Sequence, residues 1–280
     1  MFFYKSQVKM PLFHFTKPSK YGTIYPLIIF GGGGLKKVRL DKFLSVTGTA
    51  TRSEASRAVR SGRVTVNGLG VKSADHKIDP EKDTVCFDGV RVVYREFTYI
   101  MLNKPTGYVS ATDDKNLPTV LELLPDELRR TGLFPAGRLD RDTVGLMLLT
   151  DDGVLAHFLL SPVSHVPKSY KFTAQSPLSE SDVSALESGV DIGEDHITKP
   201  SSLTVGSDRA SGVITISEGR YHQIKRMFEA VGNKITSLER ITFGPLALDP
   251  SLARGEWRFL TSDEIKELQK HNRNTNGETK

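Results

Sequence analysis

Two short stretches hold side chains whose types and spacing could do chemistry. The first runs Pro135-Ala-Gly-Arg-Leu-Asp140-Arg-Asp-Thr-Val-Gly145 and places Arg138, Asp140, Arg141 and Asp142 between two glycines, just ahead of the apolar run Leu146–Leu149. Charged loops held by a rigid scaffold are common places for groups that act on a ligand. A carboxylate there can serve as a nucleophile, as a base, or as a stabiliser of positive charge. The second stretch runs Ser217-Glu-Gly-Arg-Tyr-His-Gln-Ile224-Lys-Arg-Met-Phe-Glu-Ala-Val-Gly232. Ile224, Met227, Phe228 and Val231 recur at helical spacing and Gly232 closes the helix. Tyr221, His222, Gln223, Lys225 and Arg226 then fall at its start or on its other faces, a ligand-facing end. On pattern alone the simpler accounts are structural: a turn in which Asp140 and Arg141 pair with neighbours, and a partly buried histidine at 222.

The elements that must position these groups can be read around them. Leu146–Leu149 is continuous and apolar, which predicts a strand buried on both faces. Tyr99-Ile-Met-Leu-Asn-Lys-Pro105 predicts a second strand stopped by proline, and Pro118–Leu124 a short amphipathic helix. Further forward, Leu40, Phe43, Leu44 and Thr47 sit at helical spacing before Gly48. Thr51-Arg-Ser-Glu54 is a capping-box pattern that opens a helix from Arg52 to Ser61. Arg63-Val-Thr-Val-Asn-Gly68 reads as a strand entering an Asn-Gly hairpin turn, and Gly70-Val-Lys and Asp83–Gly89 supply further short strands. Cys86 in that last segment reads as a small buried hydrophobe.

Charge is distributed unevenly. The 280 residues carry a formal +5, but residues 36–72 alone hold nine basic side chains against Asp41 and Glu54. A small basic front end joined to a mildly acidic body suggests a polyanion-binding module attached to something else, and excludes a uniformly basic packaging protein. One cysteine cannot form an internal disulfide, and no Cys/His spacing suits zinc. No apolar run is long enough to span a bilayer and no secretory leader is evident, so the chain is expected to be cytoplasmic. Residues 1–35 carry four lysines, no acid and a run of four glycines. They are expected to be a tail outside the fold, or the product of a start assigned too early, with Leu35 as the alternative first codon. The expected division is a tail over 1–35, a binding module over 36–96, a catalytic unit over 97–265 and a polar C-terminal tail over 266–280.

Taken together these blocks carry a resemblance. Arg39-Leu-Asp-Lys-Phe-Leu44, the Ser53–Arg63 helix and Val64-Thr-Val-Asn-Gly68 resemble the small RNA-binding domain first described in ribosomal protein S4. Gly137-Arg-Leu-Asp-x-Asp-Thr-x-Gly-Leu, Lys168-Ser-Tyr-Lys171 and Glu218-Gly-Arg-Tyr-His-Gln-Ile-Lys-Arg-Met are similar to the signature blocks of the RsuA/RluB/RluE/RluF family of RNA pseudouridine synthases. Leu102-Asn-Lys-Pro-Thr-Gly107 resembles the block that opens their catalytic domain. The resemblance implies an α+β chain, with an S4-like domain followed by a mixed, largely antiparallel-sheet catalytic domain. It implies that Asp140 is the catalytic aspartate, that Tyr170 contacts the target base, and that Lys225 pairs with the aspartate. By the same resemblance Ile224 matches the aliphatic residue beside that lysine, and Arg138 the arginine expected to help hold RNA around a flipped nucleotide. Arg52, Arg57, Arg60 and Arg63 would lie along RNA phosphates, contacts that give salt-dependent affinity but little sequence information.

Pseudouridylation breaks the bond from ribose to N1 of uracil and rejoins the ribose to C5. It needs no redox step and no energy input, so no cofactor and no metal are expected. The target must leave its stack before a side chain can reach the sugar. An ionised Asp140 can attack the sugar or remove its C2′ proton; a nearby cation such as Lys225 favours that charged form. The expected partner is ribosomal RNA or a ribosomal assembly intermediate, with the protein a monomer free of membrane. Leu160–Tyr170 and Thr150-Asp-Asp-Gly153 look closer to the small-subunit branch, which implies 16S RNA and a uridine-516 type of site. The weighed alternatives are a 23S RNA target, a non-catalytic assembly factor, and a glycoside hydrolase; the last fits poorly, because Asp140 and Asp142 are too close in sequence to face each other across a sugar.

Overall fold

The computed structural model describes residues 37–80, 82–92, 97–129 and 131–277, so the expected tail over 1–35 lies outside the described residues. In the front part, helices Leu40–Val46 and Arg52–Arg60 pack on a four-stranded antiparallel sheet. Its order is Leu69–Gly70, Val64–Val66, Val85–Phe87, Val90–Val92. The capping box forms as the sequence requires: the Glu54 amide donates to the Thr51 hydroxyl, and the Glu54 carboxylate accepts from the Thr51 amide at 2.8 Å. Asn67 and Gly68 take the left-handed angles of a tight hairpin, φ 52° and 79°, and pair Val66 with Leu69. Leu40, Phe43, Leu44, Ala55, Ala58, Val59, Val64, Val66, Ile78 and Val85 close a separate small core. Cys86 is half-buried in its strand rather than fully enclosed.

The body is one nine-stranded mixed sheet. Its main path runs Ser202–Val205, Ser211–Ile216, Lys168–Ala174, Ile235–Phe243, Val144–Thr150, Tyr99–Lys104, Trp257–Phe259. Among the described strands only Val144–Thr150 and Ile235–Phe243 pair in parallel. The apolar run at 146–149 is buried on both faces, because alternate side chains enter two cores. Met147 and Leu149 meet Leu186, Ile224, Met227 and Phe228 on one side; Leu146 and Leu148 meet Leu155, Phe158, Leu159 and Leu268 on the other. No helix among the described residues is long and apolar enough to cross a membrane.

Two expected elements differ. Pro118–Leu124 yields only a 3-10 turn over Val120–Leu123, since proline flanks it closely on both sides. The chain beyond 265 is a helix, Ser262–Gly277, whose Ile265 and Leu268 are buried in the second core. The expected boundary after 265 therefore cuts a packed element; two apolar residues in a polar run sufficed to dock it.

Candidate active site

The parallel pair of strands builds the site. Gly145 opposes Arg240 across it with φ 100°, and a Cβ there would stand 2.3 Å from the Arg240 carbonyl oxygen. Only glycine permits this approach, which delivers the loop before it against the start of helix Gln223–Ala230. Asp140, with its side chain about a quarter exposed, faces that helix. Lys225 Nζ lies 2.9 Å from Asp140 Oδ2 and 2.6 Å from Asp142 Oδ1, and His222 Nε2 lies 3.4 Å from Asp140 Oδ1. Burial works against charge on Lys225, but its bonds to the two carboxylates outweigh this and hold its ammonium above the usual lysine range. Asp142 is likewise opposed by burial, and its bond to Lys225 holds it below the usual carboxylate range. The turn expected to pair internally instead gives both aspartates to one distant lysine.

The loop's backbone is tied down from below. Lys104, at the end of strand Tyr99–Lys104, is completely buried, and its Nζ donates to the carbonyls of Pro105, Asp140, Arg141 and Thr143 at 2.8–3.2 Å. Burial pulls this amine down to about 8, against the attraction of Asp142 and Asp140. The Ser110 hydroxyl donates to the Leu139 carbonyl and accepts from the Leu139 amide. The carboxylate of Asp140 is thus aimed by a backbone gripped on both sides. Neither Lys104 nor Ser110 was singled out by spacing. The signals for Lys104 were a lysine ending an otherwise buried strand directly before proline, and the resemblance of Leu102-Asn-Lys-Pro-Thr-Gly107 to a family block.

The helix start is fixed by another buried set. Glu218 accepts from Gln223 Nε2 at 2.7 Å and from the Lys199 amide at 2.9 Å, while Gln223 Oε1 accepts from the Arg220 amide. Arg220 and Arg226 both pair with Glu194 and bind carbonyls of the 192–197 loop. This holds His222 at φ 49°, an uncommon angle for a residue with a Cβ.

Tyr170 is buried on strand Lys168–Ala174, in the same core as Ile224 and Leu139. Its cross-strand partner is Arg240, which donates from Nε to the Leu146 carbonyl at 2.7 Å. Burial lowers the pKa of Arg240. Sequence reasoning missed this arginine, since a cation inside a strand gives no periodic signal. Arg138 is exposed beside the loop. Away from this site, Arg52, Arg57 and Arg60 are exposed and make no ion pair among the described residues. Arg63 differs: its guanidinium grips the Asp88 carboxylate and lies over the Phe87 ring at 5.0 Å. Asp88 lies 25 positions away, and the pairing of strand Val85–Phe87 with Val64–Val66 brings it back.

The structure brings the loop aspartate and the helix lysine together, with the buried Tyr170 in the core shared by Leu139 and Ile224. The pattern of the RNA pseudouridylate synthase family matches residues 98–230, and that of the S4 domain matches residues 38–85. Ribosomal small subunit pseudouridine synthase A of Escherichia coli K12 is 46% identical over 230 residues, 81% of this chain and 98% of that protein. The chain belongs to the RNA pseudouridylate synthase family. An RNA pseudouridine synthase of Bacillus subtilis, YtzG, described as uncharacterized, is 45% identical over 81% of this chain and 97% of its own length. A crystal structure of a pseudouridylate synthase superposes with a TM-score of 0.59 at 43% identity, covering 82% of this chain and 99% of that one. This pseudouridine synthase therefore has an S4 domain in front of a mixed-sheet catalytic domain, with RNA as its substrate.

Proposed function

We propose that the protein isomerises one uridine of small-subunit ribosomal RNA to pseudouridine, with Asp140 as the catalytic residue and the uridine-516 type of site as its target. The observation that carries the chemistry is the Asp140–Lys225 ion pair at 2.9 Å, in a loop whose backbone Lys104 immobilises. An ionised, aimed carboxylate is what both routes require, whether it attacks C1′ as the base departs or removes the C2′ proton to give a glycal. Lys225, bonded to it at 2.9 Å, holds the carboxylate in place. Tyr170 and Ile224 supply a dry wall against which uracil can lie, with Arg240 paired to Tyr170 on the neighbouring strand. Arg138 holds the backbone of the flipped nucleotide, while Arg52, Arg57 and Arg60 draw in the surrounding RNA. The small-subunit target is supported by 46% identity to a ribosomal small subunit enzyme along nearly all of that relative. We take the protein to work as a monomer without a cofactor in the cytoplasm.

Pseudouridine mapping of both ribosomal RNAs, with and without the protein, tests this. Loss of one small-subunit pseudouridine on deletion, restored by the wild-type chain and not by Asp140→Asn, is the expected result. Loss of a large-subunit site instead would move the target while leaving the chemistry intact.

A further inference from the structure

We propose that Tyr221 and His222 form a two-ring platform on which a nucleobase flanking the flipped uridine stacks. The proposal deepens the reading above and rests on it. Tyr221 is 75% exposed and is the sole aromatic among the large exposed hydrophobic side chains of the described residues. Its ring lies on the His222 imidazole with centroids 3.9 Å apart and planes 17° apart. One ring face is covered by His222, so an exposure this high leaves the other face open. At its inner end the pair touches the chemistry, through His222 Nε2 at 3.4 Å from Asp140 Oδ1. The platform thus runs outward from the catalytic carboxylate into solvent.

Its placement is built. Arg226 donates to the Tyr221 carbonyl at 3.1 Å while paired with Glu194, and Gln223 locks the turn on the other side. His222 is held in the left-handed region, which turns its side chain toward Asp140 instead of over the helix end it precedes. Water gains nothing from a bare aromatic face, but a base does. Every base has a π-face, and extruding one nucleotide breaks stacking with both of its neighbours. A rigid aromatic pair beside the pocket restores one of those contacts, reading position rather than base identity.

The test uses the full chain and two RNAs that contain the mapped uridine, one with 2-aminopurine immediately 5′ to it and one with it 3′. Stopped-flow mixing with wild-type protein should quench one probe at the binding step. Tyr221→Leu should abolish that quenching and raise KM about tenfold or more, with the loss falling on KM rather than kcat. Tyr221→Phe, which keeps the ring, should restore both. A wild-type protein that converts the RNA while neither probe moves overturns the platform alone. So does a Tyr221→Leu protein with wild-type quenching and KM. A wild-type protein inert on both ribosomal RNAs overturns the substrate reading, and the platform with it.

Discussion

The front helix and the helix beside the catalytic loop both present cations, and they hold them in opposite ways. Arg52, Arg57 and Arg60 stand exposed without ion pairs among the described residues, whereas Lys225 is mostly covered and bound to Asp140 and Asp142 at 2.9 and 2.6 Å. Unpaired exposed charge acts at a distance and is screened by salt; its value lies in attraction, not in position. A cation clamped between two carboxylates attracts little from outside, but it fixes where a reacting group sits. One chain therefore separates capture from chemistry. Substitutions in the two regions should fail in different measurements.

The sharpest way to break the comparison is at Asp140. Asp140→Asn keeps the shape of the side chain and removes the group that either route needs. Turnover should fall about 10⁴-fold or more, the scale seen when a covalent or essential polar participant is altered elsewhere, while RNA affinity stays close to wild type. Affinity measured by filter binding alongside single-turnover conversion checks this; a parallel loss of both would place Asp140 in capture. Next in size is Lys104→Met, which leaves the Asp140 side chain untouched and removes the bonds to the carbonyls of Pro105, Asp140, Arg141 and Thr143. A displacement near 1 Å can cost about 10²-fold in rate, so kcat should fall by roughly that factor with KM little changed.

On the capture side, the triple variant Arg52→Ala, Arg57→Ala, Arg60→Ala should lower affinity and flatten its salt dependence. Each lost phosphate contact removes about 0.7–0.9 from the log–log slope, so the slope should drop by about 2 to 3. Arg63→Ala sharpens this contrast. Arg63 is already bound to Asp88 and stacked on Phe87, so it should change the slope less than any one of the three free arginines. An equal drop would mean that the Asp88 pair opens on RNA.

Much of this was legible in the sequence, and what was legible shared a physical trait. The buried strand at 146–149, the capping box at Thr51 and the Asn67-Gly68 hairpin each depend on residues within a few positions, so local pattern suffices. Pairing of Asp140 with Lys225 was foreseen through the resemblance, not through spacing, since the two lie 85 positions apart. What stayed hidden was polar and long-range. Lys104 serves a loop 36 or more positions away, Arg240 pairs with Tyr170 across neighbouring strands, and Asp88 returns to Arg63 only once strands Val64–Val66 and Val85–Phe87 have paired. His222 was discounted because a lone histidine carries no signal of its own. Its significance comes from a left-handed backbone angle that places it against Asp140. The packed C-terminal helix was missed for the converse reason: Ile265 and Leu268 are only two apolar residues, and the core they complete is formed by distant strands.

The smallest expected effect concerns a third kind of cation, neither free nor paired. Lys168 is buried at the start of its strand, donates to the Val166 carbonyl at 2.9 Å, and lies 5.6 Å from the Phe243 ring centre, whose ring also carries Arg240 at 4.8 Å. No carboxylate forms an ion pair with it among the described residues. Burial, aided by repulsion from Arg240, pulls its amine down to about 8 from the ordinary 10.5. The folded protein thus releases this proton near pH 8, while the unfolded chain keeps it until about 10.5. Across that window the unfolded state binds more protons, so this group makes stability rise with pH, by at most about 3 kcal/mol. Below pH 8 both states carry the charge and the slope from Lys168 vanishes. Lys168→Met should therefore gain on wild type at pH 7 and lose that advantage by pH 10, read from urea midpoints at several pH values. Lys225, whose ammonium is held above the usual range by Asp142 and Asp140, cannot give this signature. Curves that stay parallel from pH 7 to 10 would show that Lys168 is solvated through the strand end, and that burial alone does not set this cation apart from the arginines of the front helix.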